Sequence, residues 1–378
     1  MIEGIRKALS NIPGWSTNRH IVVFESDDWG SIRIRSRMDY DEMLAAGVNL
    51  DKSIFTKYDC LESNTDLERL FELLSRFKDS TGRPPVFTPM CIVANPNFDA
   101  IRENGYNEYV YEKLSETCNR YPNHNRVIEL WKEGIEKRLF VPALHGREHF
   151  NYSRWMENVR VNEGVKIAFD HHSSGAFLYK GQRIPEYLGA FKPTHPSDFN
   201  DLKQVVIDAG RLFEEICGYK PTHFIAPNAE PAMGLDTVFS QIGIRCITNA
   251  KLRHPDLGDG RTRREFVWLG KYYKHIDIVN ITRNGGFEQV QPGSDKVNDC
   301  LADIDIAFKF HKPCIISSHR VNYIGGIDEK NADFGLRKLY ELLSEIIENW
   351  PDVEFMTSTE LGDLIRKEKG LECRRCFK

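Results

Sequence analysis

Residues 24–31 read FESDDWGS and set two carboxylates, Asp27 and Asp28, side by side after the apolar run HIVVF (20–24). Adjacent carboxylates at a strand end repel each other and lose hydration, so the pair calls for a cation or a proton-transfer task. A second cluster, HGREH, places His145 and His149 four residues apart directly after LFVPAL (139–144). That spacing lets two imidazoles face one ion on a helical turn or tight loop. With a carboxylate from Asp27 or Asp28 they form a two-His-one-carboxylate set that leaves positions open for water and substrate. Such a set suits a divalent ion, Zn²⁺ first, with Co²⁺, Ni²⁺, Mn²⁺ and Fe²⁺ as alternatives. The aspartate left off the ion would take a proton from water, and His319, closing PCIISSH (313–319), would protonate a leaving group.

These residues lie far apart in the chain, so the fold must gather them. Strand-like runs (HIVVF, PVFTPMCIV at 85–93, LFVPAL, THFIAP, IRCIT, IDIVNIT, PCIISSH, VEFMT) alternate with helical patterns such as VIELWKEGIEK (127–137) and DLKQVVIDAGRLFEEICG (201–218). The second helix is closed by Gly218, with Pro221 beyond it. This alternation predicts an α/β fold with a mostly parallel sheet and crossover helices. In such sheets the strand C-termini share one mouth. Asp27 and Asp28, His145 and His149, Asn228 and Glu230, Arg283 and Asn284, and His319 and Arg320 all follow predicted strands. The stretches 95–130 and 150–200 read as long loops over that mouth.

Composition narrows the classes of function. The chain has 378 residues, 41% hydrophobic and 28% charged, with a formal net charge of −4. A pI near 6.3 gives no electrostatic case for nucleic acid. No apolar run approaches the ~20 residues of a membrane-spanning helix. The N-terminal MIEGIRKALSNIPGW reads as a short amphipathic helix and lacks the apolar core of a signal peptide. Nine irregularly spaced cysteines suggest free thiols in a reducing compartment, so a cytoplasmic location is expected.

The order of these motifs resembles that of the polysaccharide deacetylase family, the NodB-homology group of carbohydrate esterases. FESDDWGS is similar to its TFDDG motif and HGREH to its His-Ser/Thr-x-x-His motif. AGRLFEEICGYKPTHFIAPN resembles its helix-Gly-Pro-Phe-Arg-Pro-Pro-Tyr segment, IISSHR its late Leu-x-His motif, and VEFMTSTELGDLI its closing strand and helix. The likeness spans residues 18–366, in one elaborated domain with inserted loops at 95–130 and 150–200 and a tail from 367. It implies a distorted (β/α) barrel of about seven parallel strands. It also implies Asp27 as catalytic base, Asp28, His145 and His149 as metal ligands, and His319 as general acid. The implied activity is metal-dependent removal of acetyl groups from N-acetylated, or O-acetylated, sugars. Trp29, Asn228, Arg283, Asn284 and Arg320, beside these motifs, are the expected substrate contacts. Ile225 and Ala226 stand where the family places the Arg that holds its base aspartate, and Arg283 is the residue at hand to replace it.

Other readings of the same residues differ in kind. HGREH also fits the H-x-x-E-H signature of a metalloprotease, which needs a continuous helix that Pro142 and Gly146 oppose. A glycoside hydrolase on the same barrel would use two carboxylates and no metal. A silent glycan-binding relative is the third. SIRIRSR (31–37) alternates Ile with Arg33 and Arg35 close to the aspartates, as a solvated face or as an anion grip. CRRC (373–376) has no second ligand pair and reads as tail. His171 and His172 read as loop residues, and Trp15, Trp29 and Trp155 as core or as sugar-stacking rings.

Overall fold

The run IVVFESDDW is buried along its whole length and forms the central strand β1 (Ile21–Trp29) of a ten-stranded sheet. The computed structural model describes residues 7–193, 197–228, 231–256, 261–290 and 295–371. The other strands of that sheet are β2 (Phe87–Ile92), β3 (Ala143–Gly146), β4 (His223–Phe224), β5 (Cys246–Thr248), β6 (Tyr272–Tyr273), β7 (Ile278–Ile281), β8 (Gly285–Gly286), β9 (Cys314–His319) and β10 (Glu354–Phe355). The order is β6-β7-β5-β4-β3-β2-β1-β9-β8, with β10 also on β1. Every pairing is parallel except that of β6 with β7. Without the antiparallel β6 and the two-residue additions β8 and β10, the expected seven parallel strands remain.

β7 and β8 lie toward opposite ends of this order, yet only residues 282–284 join them. Four Cα–Cα steps span at most about 14 Å, so the sheet must curl until its ends approach. The result is a distorted, incomplete (β/α) barrel: the mostly parallel sheet that the strand–helix alternation predicts, curled as the family resemblance implies. Helices cover its outer face: α1 (Asn64–Ser75), α2 (Val127–Glu136), α3 (Asp198–Cys217), α4 (Asp236–Ile242), α5 (Lys296–Lys309) and α6 (Glu329–Asn349). In α3 the buried Leu202, Val205, Val206, Ala209, Leu212, Phe213 and Ile216 recur every three to four residues and face one core with Phe24, Phe87 and Phe224. Gly218 ends this helix at φ 79°, a left-handed turn that suits glycine.

Alternation along the strands gives the opposite face of the sheet its character. On β1, Ile21 and Val23 cluster with Val279 and Ile281 of β7, Ile315 of β9, and Leu361 and Ile365 of the helix α7 (Ser358–Glu368). Two residues further along each strand this face turns polar, to Glu25 and Asp27, to Arg283, and to Ser317 and His319. Apolar packing thus fixes the base of the face and leaves its upper rows to charge.

The stretches expected to be loops are partly regular. They carry helices at Phe98–Glu103, Leu114–Arg120, Tyr152–Val161 and Glu163–Asp170, besides two short hairpins. Their apolar residues (Phe98, Ile101, Phe150, Trp155, Val165, Phe169) join Ile32, Ile34, Ile324 and Ile327 in a second core. Those partners follow the C-terminal ends of β1 and β9, so the insertions pack over the mouth as a wall. Trp155 belongs to this core, and the CRRC tail lies outside the described residues.

A tight turn, Arg320–Asn322, follows β9 and rests on α6 at Gly335, where an added Cβ would meet the Asn322 carbonyl oxygen at 1.6 Å. Gly335→Ala should therefore destabilise the protein by about 3 kcal/mol, measured by urea denaturation, although alanine is the better helix former. Wild-type stability in this variant would show that the turn is not held there.

Candidate metal and acid–base site

A change of register between β1 and β2, from Ser26 to Trp29, coincides with φ 79° at Asp28. In a regular strand Asp27 and Asp28 would face opposite sides. The left-handed residue and the register shift re-aim the chain, so that both carboxylates serve the same mouth. Gly30 follows at φ 79°, and a Cβ there would meet the Ile92 carbonyl oxygen at 2.3 Å.

Asp28 Oδ1 lies 2.6 Å from His149 Nε2 and 3.6 Å from His145 Nε2. One donor atom from each of the three residues falls within 4.8 Å of the others, and all three side chains are buried. His145 Nδ1 donates to the Ile225 carbonyl at 2.8 Å, which leaves the Nε2 lone pair for the mouth. Burial pushes the His149 imidazole down to about 4, so it is neutral, the form that binds metals. Against burial, His149 and the Arg33 guanidinium hold the Asp28 carboxyl well below the usual carboxylate range. The neutral His149 imidazole, the His145 Nε2 and an ionised carboxylate oxygen around one point fit a divalent cation. Both histidines leave a strand end rather than a helix, and Glu148 is buried against Arg147 (2.7 Å) and the Tyr109 hydroxyl (3.1 Å). The helix a metalloprotease motif requires is absent here.

Asp27 has other partners. Arg283 donates through Nη1 to its Oδ2 at 2.8 Å and through Nη2 to its Oδ1 at 2.5 Å. The same guanidinium reaches Glu25 Oε2 at 2.7 Å and Ser317 Oγ at 3.0 Å. Burial would raise the Asp27 carboxyl, but Arg283 outweighs it and keeps the group ionised. Arg283 thus braces Asp27, which corrects its expected role as a substrate contact: the guanidinium is already spent on two carboxylates. Glu25 was not among the expected site residues, although it shares the Asp27 face by being two residues away on a strand.

His319 Nε2 stands 3.7 Å from Asp27 Oδ2, and its Nδ1 meets Glu288 Oε1 at 2.5 Å. Asn322 Nδ2 donates to the other Glu288 oxygen at 2.8 Å, and the Phe55 ring packs edge-on at 4.8 Å. Burial lowers the imidazole, but the Glu288 carboxylate prevails and raises it to about 9. The ring is therefore protonated at neutral pH, with Nε2–H directed toward Asp27.

Three further expectations are corrected by burial or direction. Trp29 is fully buried, with Nε1 donating to Ser26 Oγ at 2.9 Å, and presents no ring to a substrate. Arg320 is fully buried too, between Asp59 (3.0 Å) and Glu62 (2.8 Å). Asn284 bonds Asn11 and the Pro313 carbonyl, each at 3.0 Å, and accepts from Ile315 N–H. Asn228 is exposed after β4 at φ 53°, and Glu230 lies outside the described residues. Arg33, read as a solvated face or anion grip, bridges Asp28 Oδ2 and Asp59 Oδ2 at 3.1 Å each. Arg35 pairs with Asp39, which also holds His171, while His172 stacks on Phe98.

No family model and no curated protein matches this sequence. Among solved structures, a protein from Parabacteroides distasonis, provisionally named as a glycoside hydrolase/deacetylase, superposes with a TM-score of 0.50 at 11% identity, over 94% of this chain and 73% of that one. A probable polysaccharide deacetylase from Pseudomonas aeruginosa PAO1 gives 0.48 at 9% identity, over 93% and 92%. A protein from Mycobacterium smegmatis, provisionally named a polysaccharide deacetylase, gives 0.45 at 11%, over 94% of each chain. Identity this low speaks for fold alone, and the fold shared with the Parabacteroides protein is the distorted (β/α) barrel.

The His319–Glu288 pair yields a signed prediction. A raised imidazole contributes stability in full below its ordinary 6.5 and loses that contribution as pH rises through about 9. Glu288→Gln should cost on the order of 2 kcal/mol at pH 6 and converge on wild type above pH 9. Urea denaturation at the two pH values checks this, and NMR of the His319 ring should show its midpoint falling toward 6.5.

Proposed function

We propose that this chain is a metal-dependent hydrolase that removes acetyl groups from an N-acetylated or O-acetylated carbohydrate. The observation that carries the reading is the placement of an Asp28–His145–His149 donor set beside an ionised Asp27 and a protonated His319. A divalent ion held by those three residues supplies Lewis acidity toward an acyl oxygen and toward water.

The chain's own groups supply the proton transfers. Asp27, kept ionised by Arg283, is the acceptor for a proton from the attacking water. Arg283 fixes both carboxylate oxygens, so the acceptor does not rotate away. His319 carries a proton on Nε2 because Glu288 holds Nδ1, and it passes that proton to the departing amine or alcohol. One acid and one base face a common space, which suits acyl hydrolysis through a tetrahedral centre.

The rival glycoside hydrolase needs one carboxyl kept protonated near neutral pH. Asp27 and Asp28 are both held below their ordinary range, which disfavours that reading. The single elaborated domain over 1–378, with its barrel at 18–366, and the cytoplasmic location belong to this proposal. Seven buried free cysteines among the described residues support a reducing compartment. No helix among the described residues is long and apolar enough to cross a membrane.

The reading is tested by metal analysis together with acetate release from acetylated oligosaccharides and sugar precursors. Asp27→Asn should keep its metal while turnover falls by roughly 10²–10⁴-fold. His145→Ala should lose both metal and activity, and chelation of wild type should reproduce that loss. Acetate release that survives chelation, or that proceeds at the wild-type rate in Asp27→Asn, would falsify the assignment.

A further inference from the structure

A pocket of about 470 Å³ opens on the other side of the 282–284 link from the site. Thr282 and Asn284 line it, whereas Arg283 between them turns to Asp27, so the pocket shares no lining residue with the metal and acid–base groups. Its walls are apolar, from Pro13, Leu252, Val267 and Leu269, and its rim carries Phe266 and Trp268, 60% and 40% exposed. Leu9 and Ile12, which flank the lining residues Ser10 and Asn11 in the chain, are each 59% exposed and extend the apolar surface.

Two lysines also line this pocket, and among the described residues neither has a carboxylate within ion-pair distance. Lys251 Nζ donates to the Ser10 carbonyl at 3.1 Å and to Ser10 Oγ at 2.9 Å. Lys312, 4% exposed, donates to the Gly14 and Trp15 carbonyls, both at 2.8 Å. An ammonium has three donors, so each lysine keeps one beyond these bonds. Elsewhere in the molecule the buried Arg33 and Arg320 and the half-buried Arg283 are each neutralised by two carboxylates. Asp303, the acid that acts on Lys251 from further off, is paired to Lys7 at 2.7 Å. Burial without a counter-charge pushes both ammonium groups down from their ordinary value. Tying down residues 10–15 explains the carbonyl contacts but leaves two positive charges, the buried Lys312 and the half-buried Lys251, uncompensated.

We propose that this pocket binds an amphipathic anion, a carboxylate or phosphate carried on an acyl or aryl body. The head would complete the third donor of Lys251 and Lys312, and the body would lie along the apolar walls beneath Trp268. An apolar enclosure of ligand size with a few convergent polar groups is the usual form of a small-molecule site.

Isothermal titration calorimetry of the full chain with decanoate, decyl phosphate and 1-decanol tests this on the wild type. The expected result is saturable one-site binding of decanoate or decyl phosphate, at least tenfold tighter than 1-decanol, and the stronger of the two anions identifies the head group. Lys251→Gln should weaken the anion about tenfold and leave 1-decanol unchanged, Lys251→Arg should restore it, and Trp268→Ala should weaken all three. Asp27→Asn should bind like wild type, since the pocket is separate from the acid–base groups. Equal affinity for decanoate and 1-decanol, no saturable binding, or binding indifferent to Trp268→Ala overturns the proposal. The wild-type head-group comparison decides even where Lys251→Gln does not fold.

Discussion

The bridging of Glu25 and Asp27 by Arg283 is the constraint on which the rest of the molecule turns. Two carboxylates two residues apart on one buried strand face would cost several kcal/mol each in desolvation if left unpaired. Arg283 spans both, and Thr248, Ser358 and His223 satisfy the remaining side of Glu25 at 2.9, 2.6 and 3.3 Å. These partners come from β5, from the first residue of α7 and from β4, so closing the sheet and neutralising its centre are one event. The link that carries Arg283 also ties β7 to β8. A chain unable to place that guanidinium could not curl the sheet without stranding two charges.

A second buried network supports the other aspartate. Asp28, Arg33, Asp59, Arg320 and Glu62 alternate in sign, and both Glu62 oxygens accept from the Gly30 amide at 3.1 Å. The chain of charges therefore returns to the backbone two residues beyond Asp28 and locks the left-handed turn from both ends. Arg33 occupies Asp28 Oδ2 and leaves Oδ1 to face the two imidazoles. A positive group held so close to the proposed cation site is tolerable only because Asp59 shares it.

Much of this was legible in the sequence, and the limits of legibility have physical causes. Strand ends, the α3 helix with its Gly218 cap, and the convergence of Asp27, Asp28, His145, His149 and His319 follow from hydrophobic periodicity and from the rule that parallel strands share a mouth. The pattern Ile21, Val23, Glu25, Asp27 also encodes a face that turns from apolar to charged, so the role of Glu25 was available from alternation alone. The partners of Arg320 and Arg33 were not, because Asp59 and Glu62 sit in a segment with neither strand nor helix periodicity. Trp29 and Arg320 looked like substrate groups because they adjoin motif residues. Neighbours along a strand point to opposite sides, and both side chains went into the protein interior.

Asp27 and Asp28 are identical in type and adjacent in sequence, so any difference in role must come from surroundings. Both are ionised, which means charge state does not separate them. Direction does. Asp28, turned by its positive φ, presents one oxygen to two ring nitrogens whose lone pairs can share an ion with it. Asp27 faces no second imidazole lone pair, since His319 is protonated and tied through Nδ1 to Glu288. An ion at Asp27 would have to displace Arg283 and approach an imidazolium, two repulsive costs that Asp28 does not impose. The proposed division between metal ligand and proton acceptor follows from that asymmetry, which the backbone at Asp28 and the guanidinium at Arg283 create together.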